Sequence, residues 1–354
     1  MNKRILASLL AVLLLLFSFT SCDVSQSWND SLAQTQVSET EIETETPIDT
    51  SHTTTTLPVE PELPEPGEES YFEAHFIDVG QADSILVICD GHAMLIDGGN
   101  AADATLVRNY LKGQNVTYLD YVVGTHPHED HIGGLKNVMR YIKPGKVYCS
   151  TNSPSDYNTS AFRNFVYYVT GDLRQELVVP TPGEAFLLGS AKVTVVGPIK
   201  KDYEDINDTS IVLRIEYGDL AFLFTGDMEG KAELDLVYSG ADLKADVLKV
   251  GHHGSGSSSY YQFLREVNAT YGVISCGRDN EYGHPHDGPL SRLRDADVKL
   301  YRTDLQGHIV CRSEDGKTLT FTTQMNPDAI TNPTALQGDT SYLPTYLYYE
   351  EKFD

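Results

Sequence analysis

The chain has 354 residues and carries 26 Lys and Arg against 51 Asp and Glu, a formal net charge of −25. Hydrophobic residues make up 40% and charged residues 22%, too apolar a mixture for a wholly disordered chain and enough for one large or two ordinary domains. Such acidity excludes a protein that coats nucleic acid by general charge attraction, because neutralising phosphate requires an excess of Lys and Arg.

At the N-terminus, Lys3 and Arg4 precede an apolar run from Ile5 to Phe19, which gives way to Ser21 and Cys22. This is the pattern of a signal peptide over residues 1–22, and the run is too short to span a bilayer comfortably. Its end, Phe19-Thr20-Ser21-Cys22, resembles a bacterial lipobox, in which Cys22 becomes the lipidated N-terminus; a cleaved secretory signal with an incidental Cys is the alternative. Both readings export the protein, as an outward-facing membrane lipoprotein or into the medium. Residues 23–70 are rich in Ser, Thr, Pro and acidic side chains and contain no Lys or Arg, the composition of a flexible tether, stiffened at its end by PVEPELPEPGEE. After Phe19 no stretch has the length and apolarity of a membrane-crossing helix.

Folded structure is predicted over 71–325, followed by a tail, 326–354, in which no motif is readable. Strand-like runs follow one another as FEAHFIDV, SILVIC, AMLID, YLDYVVG, KVYCS, KVTVVG, SIVLRIEYG, LAFLFTGD, VLKVG, YGVISCG and KLYRT. Many are continuously apolar, as strands buried on both faces require. Helices are expected at 101–112, 132–142, 160–169, 229–238, 258–266 and 288–296, which points to a layered α/β sandwich. Cys89, Cys149, Cys276 and Cys311 lie in or beside apolar strands without CxxC spacing. They could form two disulfides by any of three pairings, but buried single thiols fit better.

The chemistry concentrates in Thr125-His126-Pro127-His128-Glu129-Asp130-His131-Ile132-Gly133-Gly134, where a buried strand enters a loop with three imidazoles and carboxylates. Neutral imidazole and carboxylate are ligands for zinc, iron and manganese.

His126, His128, Asp130 and His131 match the HxHxDH signature, and the sequence resembles the metallo-β-lactamase superfamily over about residues 71–323. FIDVGQADSILV, MLIDGGN, NDTSIVLRIEYG, FLFTGD, VLKVGHHGS and YGHPH resemble, in that order, the hydrolase domain of ComEC-type competence proteins and the related teichoic acid phosphorylcholine esterases. The resemblance implies an α/β fold, a four-layer αββα sandwich, with one or two divalent ions, zinc or manganese. It implies His126 and His128 on one ion, Asp130 and His131 on a second, and Asp227 bridging. His284 is expected to complete the second ion, with His252 and His253 facing the substrate, although these assignments could be reversed. Asn207 stands where many members place a third His on the first ion, and its amide oxygen suits manganese better than zinc. Asp97 would orient a ligand imidazole, while Asp78, Gln81, Asp83 and Ser255 would support the site or touch substrate. His286 and His308 are expected to be packing or surface residues, and Arg278, Arg292 and Arg294 local cations near the rim.

The expected activity is metal-dependent hydrolysis of a phosphodiester by metal-activated hydroxide. Asp130, His252 and His253 are the catalytic candidates, with one of the two histidines near the leaving group. The substrate would be nucleic acid or a cell-wall polymer, and membrane contact would come through a lipid anchor only. A phosphorylcholine or teichoic-acid esterase is the alternative enzyme, and a surface lipoprotein that binds DNA or metal without turnover is the alternative outside enzymes.

Overall fold

The computed structural model describes residues 70–333. Cys22, the signal segment, nearly all of the tether and the tail from residue 334 lie outside the described residues.

Six strands come first: β1 (Phe72–Phe76), β2 (Ile85–Cys89), β3 (His92–Ile96), β4 (Tyr118–Gly124), β5 (Lys143–Cys149) and β6 (Leu177–Val178). Between them lie α1 (Ala104–Gly113), α2 (Glu129–Ile132), α3 (Leu135–Met139) and α4 (Ser160–Tyr167). Then follow β7 (Ala185–Leu188), β8 (Ala191–Gly197), β9 (Val212–Tyr217), β10 (Leu220–Phe224), β11 (Val247–Lys249), β12 (Tyr271–Ile274) and β13 (Lys299–Arg302). Their helices are α5 (Gly230–Ser239), α6 (Tyr261–Val267), α7 (Asp287–Asp295) and α8 (Thr303–Gln306). Finally β14 (Ile309–Ser313) and β15 (Thr320–Thr323) return to the first sheet.

One sheet runs β15-β14-β1-β2-β3-β4-β5-β6 and the other β13-β12-β11-β10-β9-β8-β7. Each is antiparallel in one part and parallel in the other: β3, β4, β5 and β6 are parallel, as are β10, β11, β12 and β13. Parallel neighbours require crossover connections, and α1, α4, α5, α6 and α7 lie in them.

Alternation along each strand builds four layers. In β2, Leu86 and Ile88 pack outward with Val107 and Leu111 of α1, Val138 of α3 and Phe162 of α4. Ile85, Val87 and Cys89 point inward and join Leu213, Ile215, Phe222 and Phe224 of the opposite sheet. On that sheet's outer face Leu223 and Leu248 meet Leu236 of α5, Phe263 of α6 and Leu293 of α7. The inner layer is tied by stacked rings, Phe72 on Phe222 at 4.4 Å and Phe76 on Phe224 at 6.1 Å between centroids. The order is thus helix, sheet, sheet, helix. Cys89, Cys149, Cys276 and Cys311 are buried as unpaired thiols, with burial raising every pKa.

Against expectation, the stretch 132–142 is not one helix. Asp130 and His131 already lie on the single turn α2, and helix resumes only at Leu135. The break follows from Gly134, where an added Cβ would land on the carbonyl oxygen of Gly98.

Candidate metal centre

The site lies beyond the ends of parallel strands in both sheets. In the first sheet Ile96 pairs with Val123, so Asp97 and the Thr125–His128 turn leave side by side. Asp97 is buried, with its Oδ1 accepting from the Thr125 amide at 2.8 Å. Its Oδ2 accepts from the Thr125 hydroxyl at 2.8 Å and binds His131 Nδ1 at 2.8 Å. His131 Nε2 is thereby turned into the cleft.

In the second sheet Phe224 pairs with Lys249 in parallel register, which brings Asp227 and His252, each three residues further on, to the same level. Ser210 Oγ accepts from the Asp227 amide at 3.1 Å and fixes where this carboxylate leaves its strand. His252 and His253 both have positive φ, 45° and 51°, a left-handed turn that costs a non-glycine residue about 1–2 kcal/mol. The strained turn delivers two adjacent imidazoles to one rim. His253 Nδ1 donates to the Ser275 carbonyl at 2.9 Å, leaving Nε2 for the cleft.

Four donor atoms from the two sheets converge there. His131 Nε2 lies 3.1 Å from Asp227 Oδ2 and 3.6 Å from Asp130 Oδ2, while His253 Nε2 lies 3.2 Å from Asp130 Oδ2 and 3.4 Å from Asp227 Oδ2. All four lie within 4.8 Å of one another. Ligands at 2.0–2.2 Å around one ion stand about 3.3–3.6 Å apart when tetrahedral, and these four edges are close to that spacing.

The polar accounting agrees. His131 Nε2 and Asp227 Oδ1 are buried without a hydrogen-bond partner, and a divalent cation is the group that both lack. Burial works against charge on Asp227, but His131 and His253 hold its pKa well below the usual range. Burial likewise opposes charge on His131 and His253, yet the facing carboxylates, Asp227 foremost, lift both well above the usual imidazole value. The group thus draws positive charge to its centre.

Of the histidines whose roles the sequence left reversible, His253 stands in the donor group. His284 lies at the rim, its ring 5.6 Å from that of His252 and 6.4 Å from that of His253. Burial and the neighbouring His252 and His253 press its pKa down to about 4. His252 faces the same cleft, its Nε2 3.8 Å from Asp227 Oδ2.

His126 and His128 form a second pair of donors, with Nε2 and Nδ1 2.9 Å apart. Burial lowers both pKa values, that of His126 strongly, so both are neutral and able to ligate. Asn207 is buried at the start of a short 3-10 turn, its Nδ2 3.4 Å from Glu229 Oε1 and its Oδ1 without a partner.

Asp83 meets Lys249 Nζ at 2.8 Å beneath the site, both fully buried, and its Oδ1 is 3.4 Å from His253 Nδ1. Gln81 bridges Gly277 and His284. Ala82 is buried in the outer core. Ser255 Oγ contacts Ser257 Oγ in the following loop. Asp78 serves its own turn, its Oδ1 accepting from Gly80 and its amide donating to His308, and His286 ties Gly256 to Tyr282.

The expected rim cations are committed elsewhere. Arg292 donates to the carbonyls of Gly256, Ser258 and Ser259, Arg294 to Asn332 and Pro333, and Arg278 to the Asp304 carbonyl. Three residues that sequence reasoning missed hold the site together: Glu229, which binds His252 Nδ1 at 2.8 Å; Asp208, which accepts from the first amides of α5; and Ser210. Two of them lie in the NDTS block, which was itself the available signal.

The sequence profile of the Metallo-beta-lactamase superfamily matches residues 77–278. ComE operon protein 3 of Bacillus subtilis is 26% identical over 258 residues, covering 68% of this chain and 33% of that protein. Competence protein ComA of Neisseria gonorrhoeae is 34% identical over 232 residues, covering 65% of this chain and 30% of that protein. The chain therefore spans about a third of the length of these relatives. Among solved structures, the metallo-beta-lactamase fold protein YhfI from Bacillus subtilis is similar at 15% identity and a TM-score of 0.47, over 69% of this chain and 100% of YhfI.

Proposed function

The chain belongs to the metallo-β-lactamase superfamily, and from that premise we propose that it is an exported, metal-dependent hydrolase of phosphodiester bonds. The observation that carries the reading is the group Asp130, His131, Asp227 and His253, whose donor atoms lie within 4.8 Å of one another and among which Asp227 Oδ1 is buried without a hydrogen-bond partner. His126 and His128, with the amide oxygen of Asn207, would hold a second ion, and the unpartnered Asp227 Oδ1 suits a bridge. A divalent ion, zinc or manganese, would supply Lewis acidity toward a phosphoryl oxygen and a nucleophile at neutral pH.

The rest falls to the chain itself. Asp97 and the Ser275 carbonyl aim the two ligand imidazoles, and Ser210 fixes Asp227. His252 and His284 face the cleft from one rim, where a substrate's leaving group and non-bridging oxygens would lie. Nucleic acid is the preferred substrate, supported by similarity to competence proteins, and a cell-wall polymer the other. Export and a lipid anchor at Cys22 are supported by the N-terminal charge, apolar run and small residues.

Metal analysis of the full-length protein, followed by hydrolysis of bis-p-nitrophenyl phosphate and single-stranded DNA, tests the reading. One or two ions per chain with chelator-sensitive cleavage is the expected result. Metal content near zero in protein supplied with Mn²⁺ or Zn²⁺ would overturn it. Bound metal without cleavage of either substrate, but with release of phosphorylcholine from teichoic acid, would replace the nuclease reading by the esterase one.

A further inference from the structure

We infer that Gln81 and Glu229 are positioning residues that hold His284 and His252 in opposite tautomers across one cleft, making His284 a fixed hydrogen-bond donor and His252 a fixed acceptor. The tautomers follow from contacts alone, and only their kinetic consequence rests on the hydrolase reading.

On one side, Gln81 Oε1 accepts from the Gly277 amide at 3.0 Å. A backbone N–H can only donate, so the side-chain oxygen must face it and the NH₂ must face the other way. There it meets His284 Nδ1 at 3.2 Å. Nδ1 therefore accepts, and the ring proton of neutral His284 sits on Nε2. The approach is close enough to require glycine at 277, since an added Cβ would stand 2.7 Å from the Gln81 amide nitrogen. Asn280 fixes the other end, its Oδ1 accepting from the His284 amide at 3.0 Å and its Nδ2 donating to the carbonyls of His284 at 2.6 Å and Gly277 at 2.8 Å.

On the other side, Glu229 Oε1 gathers three donors: His252 Nδ1 at 2.8 Å, Ser257 Oγ at 2.8 Å and Asn207 Nδ2 at 3.4 Å. An ionised carboxylate only accepts, so Nδ1 of His252 carries a proton and Nε2 turns its lone pair to the cleft. The same carboxylate takes the NH₂ of Asn207 and leaves the partnerless Oδ1 as that side chain's free donor atom.

The consequence is a division of labour. Protonating His284 would set an N–H against the NH₂ of Gln81, so this ring stays neutral and offers Nε2–H to a non-bridging phosphoryl oxygen. His252 instead turns the Nε2 lone pair to the cleft, where it accepts an O–H of the attacking water while His284 holds the phosphoryl oxygen.

Long-range ¹H–¹⁵N NMR of histidine-labelled, zinc-loaded full-length protein, at a pH alkaline enough for neutral rings, reads the tautomers directly. Nε2–H is expected for His284 and Nδ1–H for His252. Gln81→Glu should move His284 to Nδ1–H and leave His252 alone; Glu229→Ala should turn His252 into a tautomer mixture, and Glu229→Gln, which keeps an oxygen, should restore it. The same tautomer on both rings of the wild type, or a His284 unmoved by Gln81→Glu, would overturn the inference whatever the substrate. In kinetics, Glu229→Ala should cost about 10-fold on bis-p-nitrophenyl phosphate and Glu229→Gln should recover most of it. No loss in Glu229→Ala would remove the role of the oriented acceptor. Wild-type protein with the expected tautomers but no phosphodiester cleavage would instead overturn the hydrolase reading.

Discussion

Replacing Lys249 by Met should destabilise the metal-free protein by about 3–5 kcal/mol, the cost of breaking a buried ion pair from one side. Lys249 ends β11 with its side chain fully buried, and its ammonium donates to Asp83 Oδ2 at 2.8 Å and to the Val250 carbonyl at 2.9 Å. At that separation the attraction is about 6 kcal/mol for an effective dielectric of about 20. Methionine fills the space but leaves Asp83 facing His253 alone. Unfolding in urea with chelator present, followed by circular dichroism, gives the free energy; the midpoint temperature should fall by about 6–20 °C for a domain of this size. The double variant Lys249→Met, Asp83→Asn should recover at least half of the loss, because no unpaired charge remains. The pH dependence has a definite sign. Burial opposes the charge of Asp83, but Lys249 and His253 hold its pKa down to about 2, below the unfolded value of about 3.9. That stabilisation is complete above the unfolded pKa and lost as pH falls through about 2. Without Lys249, burial pushes the same pKa up, so the variant loses stability as pH rises. The gap between the two proteins should therefore shrink toward acid. A loss under about 1 kcal/mol at neutral pH, or a double variant no better than the sum of its parts, would refute the reasoning.

His253→Ala and His284→Ala separate the two histidines between which the sequence left the ligand role open. After dialysis, the first should lose an ion by elemental analysis, while the second should keep the wild-type content and lose at least about 10-fold in activity; equal metal content in both would reverse the assignment. Asn207→His replaces the amide oxygen proposed for the second ion by an imidazole and should shift metal preference toward zinc by at least about 10-fold in competition calorimetry. An unchanged preference would show that this side chain holds no metal.

How much of this was legible follows the strength of each local signal. The apolar runs that became β2, β4, β8, β9 and β10 were visible because strands buried on both faces carry continuous apolar sequence. β6 has two residues and β7 is a half-exposed edge, so neither rises above its surroundings. β14 and β15 alternate buried and open positions in a stretch that also reads as surface. In the site, HxHxDH and TGD stand out because spacing and chemistry coincide. Which of His253 and His284 joins the donor group was left open by the sequence, since the placement of His253 depends on positive φ at two non-glycine residues, which no residue type announces. Glu229 was invisible for a related reason. Its partners His252, Ser257 and Asn207 lie 23, 28 and 22 residues away, and a glutamate at a helix start already has an ordinary explanation in the helix dipole.

The donors come from both sheets, and that has a physical consequence for the fold itself. Asp130 and His131 lie on α2 beyond β4, with His131 aimed by Asp97 at the end of β3, whereas Asp227 and His253 follow β10 and β11. No pair of neighbouring strands holds all four, so the cavity for an ion exists only once the two sheets have packed over Phe72, Phe76, Phe222 and Phe224. Burial disfavours every charge among the carboxylates and imidazoles, but the imidazole–carboxylate contacts outweigh it, holding Asp227 well below and His131 and His253 well above their ordinary pKa values. Three contacts lessen the penalty from below: Lys249 on Asp83, Asp97 on His131, and the Ser275 carbonyl on His253. An ion that binds only the packed state adds its binding free energy to that of the sandwich. The aromatic layer and the metal centre are therefore two parts of one interface, the first supplying non-directional burial and the second fixing the register in which the sheets meet.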